Sequence, residues 1–368
     1  TGVVDCDNKV LLDPPPTVAV LPEEKDATYS LDAFAHQLRE LGDDRADAEF
    51  VLARLAPEFG PGDLAGVIAR LKAQGLTRVF AARTVEDLER IAASTYVVEF
   101  PADSTPAERV LQPQSSHESH GVEDARMVRT VADDGRTEYL GTYTAYDGHA
   151  IGQQLLRTHD FRRFTSTPIT GQGSRNKGLA LFPRRIGGRF AAISRADRES
   201  NAITTSSDML HWDTPVLVQV PEHPWEIVQL GNCGPPIETE AGWLVLTHGV
   251  GPMRTYAIGA MLLDLDDPRT VLASLERPFL TPTQEERHGY VPNVVYSCGA
   301  MLHGRTLVLP YGCSDSQTRI AMVDLDGLLG AMVPRTSADA AGPQPVVAAP
   351  DQAERPLAVL ADPDQVAR

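Results

Sequence analysis

The chain has 368 residues, a formal net charge of −17, 23% charged residues and 42% hydrophobic residues. This acidity excludes sequence-independent binding to nucleic acid or to an anionic membrane, since both need a basic surface. No run of about 18 apolar residues occurs, so no membrane-spanning helix is predicted.

The first 22 residues are rich in proline. They read as a short strand at Val10–Leu12 and a loop through Pro14, Pro15 and Pro16. Residues 23–93 have a different texture. Leu31, Phe34, Leu38 and Leu41 recur at helical spacing, and Phe50, Leu52 and Leu55 continue the pattern. Pro57, Gly60 and Pro61 interrupt it. Leu64, Val67, Ile68 and Leu71 then form a further helical face, and Thr84 reads as the N-cap of a last helix, with Asp87 three residues on. This helical module is assigned to packing or to a homo-oligomer contact, with substrate shaping as the sharper alternative.

From about residue 94 to 330 the pattern changes to short strands and turns. Four segments share one design, an apolar strand ending in a polar group: 138–147, 188–195, 242–248 and 305–315. Their polar ends, Asp147, Arg195, His248 and Asp315, are 48, 53 and 67 residues apart. Strand-built repeats of roughly 40–50 residues are the signature of propeller blades, in which equivalent strand ends face one axis. A β-sandwich with chance spacing is the competing architecture. The tail, about 331–368, is rich in Ala, Pro and Asp and reads as mobile or loosely docked.

Charge is unevenly spread. Residues 151–200 hold ten Arg or Lys and three Asp or Glu. Arg175 and Arg195 stand beside strands, and two guanidinium groups aimed into a funnel would bind an oxyanion strongly. Asp147 precedes Gly148, which permits a tight turn presenting the carboxyl at a strand end. Glu123 and Asp124 are adjacent, so they point to opposite faces of a strand. At most one reaches a given pocket, and the other is free to pair with Arg126. The histidines have no metal-ligand spacing, and neither HExxH nor GxSxG occurs, so no metal or organic cofactor is expected. Cys6, Cys233, Cys298 and Cys313 form no CxxC pair, which fits a reducing, cytoplasmic compartment.

Eight strings then occur in order: GVEDARMV (121–128), YTAYDG (143–148), SRNKGLALFP (174–183), SSDMLHW (206–212), GNCGPPIETEAGWLVLTHGV (231–250), YAIGAMLLDLDDP (256–268), GYVPNVVYSCG (289–299) and PYGCSD (310–315). Together they resemble glycoside hydrolase family 130, the β-mannoside phosphorylases and related β-mannosidases, and the longer branch with β-1,2-oligomannan phosphorylases in particular. The resemblance implies an all-β, five-bladed propeller and a further N-terminal part that would complete it. It implies Asp147 as general acid and Arg175, Asn176, Arg195 and His248 at the phosphate site. Asp124, Tyr146, Tyr256 and Asp315 would line the same pocket, and inorganic phosphate and a mannooligosaccharide would be the co-substrates.

One departure is Gln229, which stands where many members carry lysine. Arg254 is the nearby candidate to replace that charge. A phosphorylase needs one acid and a cationic clamp, whereas an inverting hydrolase needs a second carboxylate, for which Glu123, Glu226 and Glu238 are candidates. A non-catalytic carbohydrate-binding propeller is the third reading. Asp147 must be protonated when the bond breaks, so a raised pKa is expected for it.

Overall fold

A computed structural model describes residues 1–43, 46–73, 79–132 and 134–335. Most of the expected tail lies outside the described residues. The chain opens with a two-stranded antiparallel hairpin, β1 (Gly2–Val4) and β2 (Val10–Leu12). Strand β3 (Glu23–Lys25) then joins a larger sheet described below, and β4 (Tyr29–Ser30) pairs with β5 (Glu58–Phe59).

Around that small pair, four helices gather: α1 (Leu31–Glu40), α2 (Ala46–Leu52), α3 (Pro61–Ala73) and α4 (Val79–Ser94). Ser30 caps α1 by accepting from the Ala33 N–H, and Asp32 and Arg39 suit the dipole at its two ends. Pro61 opens α3, where its missing N–H costs nothing. Phe34, Leu38, Val51, Leu64, Leu71 and Leu88 fill a core of their own. The last helix begins earlier than the sequence suggests. Thr84 is not its N-cap: it is buried inside α4 and donates to Asp43 Oδ2 at 2.6 Å. A buried threonine that bonds across the core does not need to end a helix.

The rest is mostly β, in four antiparallel sheets. The first has the order β3, β6 (Tyr96–Glu99), β10 (Arg163–Pro168), β9 (Ile151–Thr158), β8 (Thr137–Tyr146), β7 (Val122–Val131). The second runs β11 (Ala180–Leu181), β12 (Phe190–Ser194), β13 (Asn201–Ser206), β14 (Val216–Gln219). The third contains β15 (Gln229–Asn232), β16 (Ile237–Thr239), β17 (Gly242–Gly251), β18 (Thr255–Leu263) and β19 (Val271–Ser274), with β24 (Val333–Pro334) at its edge. The fourth contains β20 (Val295–Tyr296), β21 (Met301–His303), β22 (Thr306–Cys313) and β23 (Gln317–Asp324), followed by α5 (Leu325–Gly330).

The four segments singled out in the sequence became β8, β12, β17 and β22, one interior strand in each sheet. Neighbouring sheets pack face to face in chain order. Leu140 and Leu155 of the first meet Leu181 and Trp212 of the second. Ile193 and Ile203 of the second meet Trp243 and Met261 of the third. Leu246 and Ile258 of the third meet Leu307 and Leu309 of the fourth.

The fourth and first sheets meet differently. Their contact is polar, between Tyr296 and the pair Asp124 and Arg126. Beyond it they diverge around a cleft of about 710 Å³, lined by Met127, Val308, Pro310 and Ile320 and flanked by the hairpin residues Val3 and Leu12.

Candidate active site

Asp124 and Arg126 lie two apart on β7 and meet through their side chains. A β-bulge between Glu123 and Arg126 turns Asp124 inward with a left-handed backbone, φ 57°. Glu123 turns out and pairs with Lys177 at 2.8 Å. Arg126 is 1% exposed. Its guanidinium donates to the Asp124 carbonyl at 2.8 Å, to Asp124 Oδ2 at 3.4 Å and to the Tyr296 hydroxyl at 2.6 Å. Tyr296 in turn donates to Asp124 Oδ2 at 3.0 Å.

Arg195 follows β12 and is also buried. It donates to the Arg198 carbonyl at 2.8 Å, and among the described residues the buried Nε atoms of Arg126 and Arg195 have no hydrogen-bond partner. The two guanidinium groups flank one residue: a Cβ added at Gly178 would lie 3.8 Å from Nη2 of Arg126 and 3.8 Å from Nη1 of Arg195. Asn232 fastens this wall, donating to the Gly178 carbonyl at 2.7 Å.

His248 on β17 completes the group. Its neighbour across the ladder is Gly231, where a Cβ would meet His248 Cε1 at 2.5 Å and Arg195 Cδ at 2.6 Å. Only glycine leaves room for the two side chains to pack there. His248 Nδ1 lies 3.2 Å from the Asn232 carbonyl, a contact in which the nitrogen must be the donor. Nε2 then carries the lone pair. Tyr256 stacks parallel to the His248 ring at 6.0 Å, and Tyr296 stands edge-on at 4.9 Å.

The electrostatics point one way. Burial, with Arg195 and Arg126 beside it, pushes the His248 pKa well below its ordinary value, so the imidazole is neutral. Burial lowers that of Arg195, and Arg126 adds to the effect. Burial opposes the charge on Arg126 too, but Tyr296 and Asp124 outweigh it and raise its pKa. The cluster therefore holds two buried guanidinium charges, with the Asp124 carboxylate beside Arg126 and that of Asp197 acting on Arg195. Burial pushes the Cys233 and Cys298 thiols up to about 12, so neither adds a negative charge at neutral pH. Such an arrangement favours an anion.

Among the described residues, the other expected residues make no hydrogen bond or ion pair with Arg126, Arg195 or His248. Asn176 has φ 62°, donates to the Ala196 carbonyl and accepts from Arg198 Nε at 2.8 Å. It is thus tied to the residues that follow Arg195. Arg175, just before it, is exposed rather than buried. The second buried guanidinium is Arg126, not Arg175. Asp315 is exposed in the turn after β22, again left-handed at φ 50°. Tyr146 donates to the Gly148 carbonyl at 2.9 Å and meets the His120 ring edge-on.

Asp147 stands at the end of β8, where Oδ1 accepts from the N–H groups of His149 at 2.8 Å and Ala150 at 2.7 Å. Burial would raise its pKa, but those two backbone bonds, with His117 and His149 nearby, outweigh burial and lower it. The expected raised value is therefore not found. Among the described residues, no hydrogen bond or ion pair links Asp147 to the guanidinium cluster.

The candidate replacement for the charge missing at Gln229 does not join the cluster. Gln229 opens β15 opposite Val250, while Arg254 is exposed in the turn beyond β17, outside the cluster. Five of the ten bases of the basic stretch pair locally: Arg157 with Glu138, Arg162 and Arg163 with Glu99, Arg184 with Glu238 and Arg189 with Asp213. Sequence reasoning missed Tyr296 and Asn232, and it treated Arg126 only as an ion-pair partner. The i, i+2 spacing of Asp124 and Arg126 was the available signal. Tyr296 carried none, because its contacts come from a sheet about 170 residues away.

Several known proteins are similar to this chain. A family model described as beta-1,4-mannooligosaccharide phosphorylase, of glycoside hydrolase family 130, matches residues 88–333. A 1,2-beta-oligomannan phosphorylase of Thermoanaerobacter sp. is 31% identical over 59% of this chain and 72% of its own. A beta-1,2-mannobiose phosphorylase of Listeria innocua is 32% identical over 62% of this chain and 63% of its own. The solved structure of a Listeria innocua beta-1,2-mannobiose phosphorylase with beta-1,2-mannobiose superposes with a TM-score of 0.53 at 28% identity, covering 64% of this chain and 65% of that one. The chain thus spans a little under two thirds of both Listeria chains. The matched residues run from α4 to β24 and contain the whole Arg126–Arg195–His248 cluster, and on that ground the chain belongs to glycoside hydrolase family 130, a family of glycoside phosphorylases.

Proposed function

We propose that this chain breaks β-mannosidic bonds with inorganic phosphate, inverting the anomeric centre and releasing α-mannose 1-phosphate. The observation that carries the reading is the pair of buried guanidinium groups, Arg126 and Arg195, each with an unpartnered Nε, beside a neutral His248. Phosphate is already a nucleophile, so a site that holds it opposite the leaving sugar needs no second carboxylate. Arg195, Asn176 and His248 hold the anion, with Arg126 as the second buried cation and Arg175 at the exposed rim. His248 Nε2 accepts a hydrogen bond from a phosphate hydroxyl. Asp124, Tyr146, Tyr256 and Asp315 meet the sugar, and Asp147 supplies the proton to the leaving group, directly or through a sugar hydroxyl. Positioning and charge complementarity do most of the work.

The substrate class is β-1,2-mannooligosaccharides, on the strength of the curated relatives' names. Four sheets packed in chain order, and a hairpin beside the cleft between the last and the first, support a five-bladed propeller. The free cysteines fit a cytoplasmic location.

Hydrolysis is disfavoured by where its candidate bases lie. Glu123 pairs with Lys177 and Glu238 with Arg184, both at the surface. Glu226 packs beside Gly249, on the face of β17 opposite His248. The test is incubation with β-1,2-mannobiose and β-1,2-mannotriose, with and without phosphate. Mannose 1-phosphate formed only with phosphate supports the proposal. Free mannose at equal rates in both would overturn it.

A further inference from the structure

The helices have their own core, yet two side chains of α1 reach across to the sheets at one place. Glu40 Oε1 accepts from the Gly171 N–H at 3.0 Å. His36 Nε2 is 3.1 Å from Asp208 Oδ2, and the His36 ring stacks on His211 at 4.8 Å with 19° between planes. His211 Nδ1 is 3.0 Å from Thr170 Oγ1. Helix α1 therefore grips Thr170 and Gly171, once directly and once through the turn that carries Asp208 and His211.

The gripped segment has no slack. Gly171 has φ +96°, and a Cβ there would lie 2.1 Å from the Trp212 carbonyl oxygen. A Cβ on Gly173 would lie 2.1 Å from Thr204 Oγ1. Ser194 Oγ donates to the Gly173 carbonyl at 2.7 Å, and Ser174 Oγ donates to the Gly171 carbonyl at 3.0 Å. One turn of 3-10 helix, Gln172–Ser174, then delivers the chain to Arg175 and Asn176. A displacement at Gly171 has nowhere to relax before it reaches Asn176.

We propose that α1 positions the phosphate loop, with Glu40 and His36 as its positioning residues, so that the helical module sets affinity for phosphate. The proposal rests on the reading of Arg175 and Asn176 as phosphate-site residues. The measurements are steady-state kinetics on the full chain and hydrogen exchange of peptides covering residues 168–178. Glu40→Ala removes a charged acceptor from a backbone N–H, a change expected to raise KM for phosphate about tenfold. KM for the mannoside should stay unchanged and exchange at residues 170–174 should quicken several-fold. Glu40→Gln, which keeps a carbonyl acceptor, should recover most of the phosphate affinity. His36→Ala should act in the same direction, and Arg39→Ala, on the exposed side of the same helix, should change nothing. The proposal is overturned if Glu40→Ala and His36→Ala leave KM for phosphate unchanged while Arg175→Ala or Asn176→Ala raises it. It is overturned equally if exchange at residues 170–174 stays at the wild-type rate. If neither Arg175→Ala nor Asn176→Ala affects KM for phosphate, the phosphate-site reading fails first and this proposal falls with it.

Discussion

At the scale of single residues, the two halves of the proposed chemistry sit in opposite electrostatic settings. Asp147 accepts two backbone N–H bonds, which favour its charged form. A general acid must be protonated, and a lowered pKa means the proton is lost at a lower pH. kcat/KM is therefore expected to rise as pH falls from neutral, until the acid form of Asp147 predominates. Asp147→Asn should cut kcat by about 10²–10⁴-fold and flatten that limb, with an unchanged circular dichroism spectrum. Arg195 is the reverse case, a cation that burial disfavours and an incoming anion relieves. Arg195→Ala should raise KM for phosphate by tenfold or more and leave KM for the mannoside nearly constant, as steady-state kinetics with both substrates varied would show.

At the scale of elements, the glycines and bulges explain what could be read from the chain and what could not. The strands β8, β12, β17 and β22 were legible as short apolar runs at propeller-like spacing, because each is an interior strand of its sheet and largely buried. Asp147, Arg195 and Asp315 do follow the ends of their strands, but His248 lies inside β17, which runs on to Gly251. Arg126 was harder to place: the bulge that aims Asp124, and the depth at which Arg126 ends, depend on sheets distant in sequence. The exposure of Arg175 was hidden too, since a run of basic residues does not reveal which of them find acidic neighbours. Gly231 shows how narrow the tolerance is. Gly231→Ala would force a methyl into His248 and Arg195, and a stability loss of about 1–3 kcal/mol is expected in urea titration. Phosphate affinity should fall with it.

At the scale of the whole molecule, three of the four junctions between successive sheets are apolar, and the fourth is the Tyr296–Asp124–Arg126 contact beside an open cleft. Tyr296→Phe removes two partly buried hydrogen bonds there, leaving a charged guanidinium and a carboxylate short of a partner. It should cost about 1–3 kcal/mol of stability, measurable as a lower thermal or urea midpoint. Phosphate should stabilise the wild type by about 2.7 kcal/mol at one hundred times its Kd. On the proposed reading, the same few side chains would serve as fastener and as pocket. A keystone anion would tighten the ring each time it is captured, and a starved enzyme would be the frailer one, opening first along that single seam.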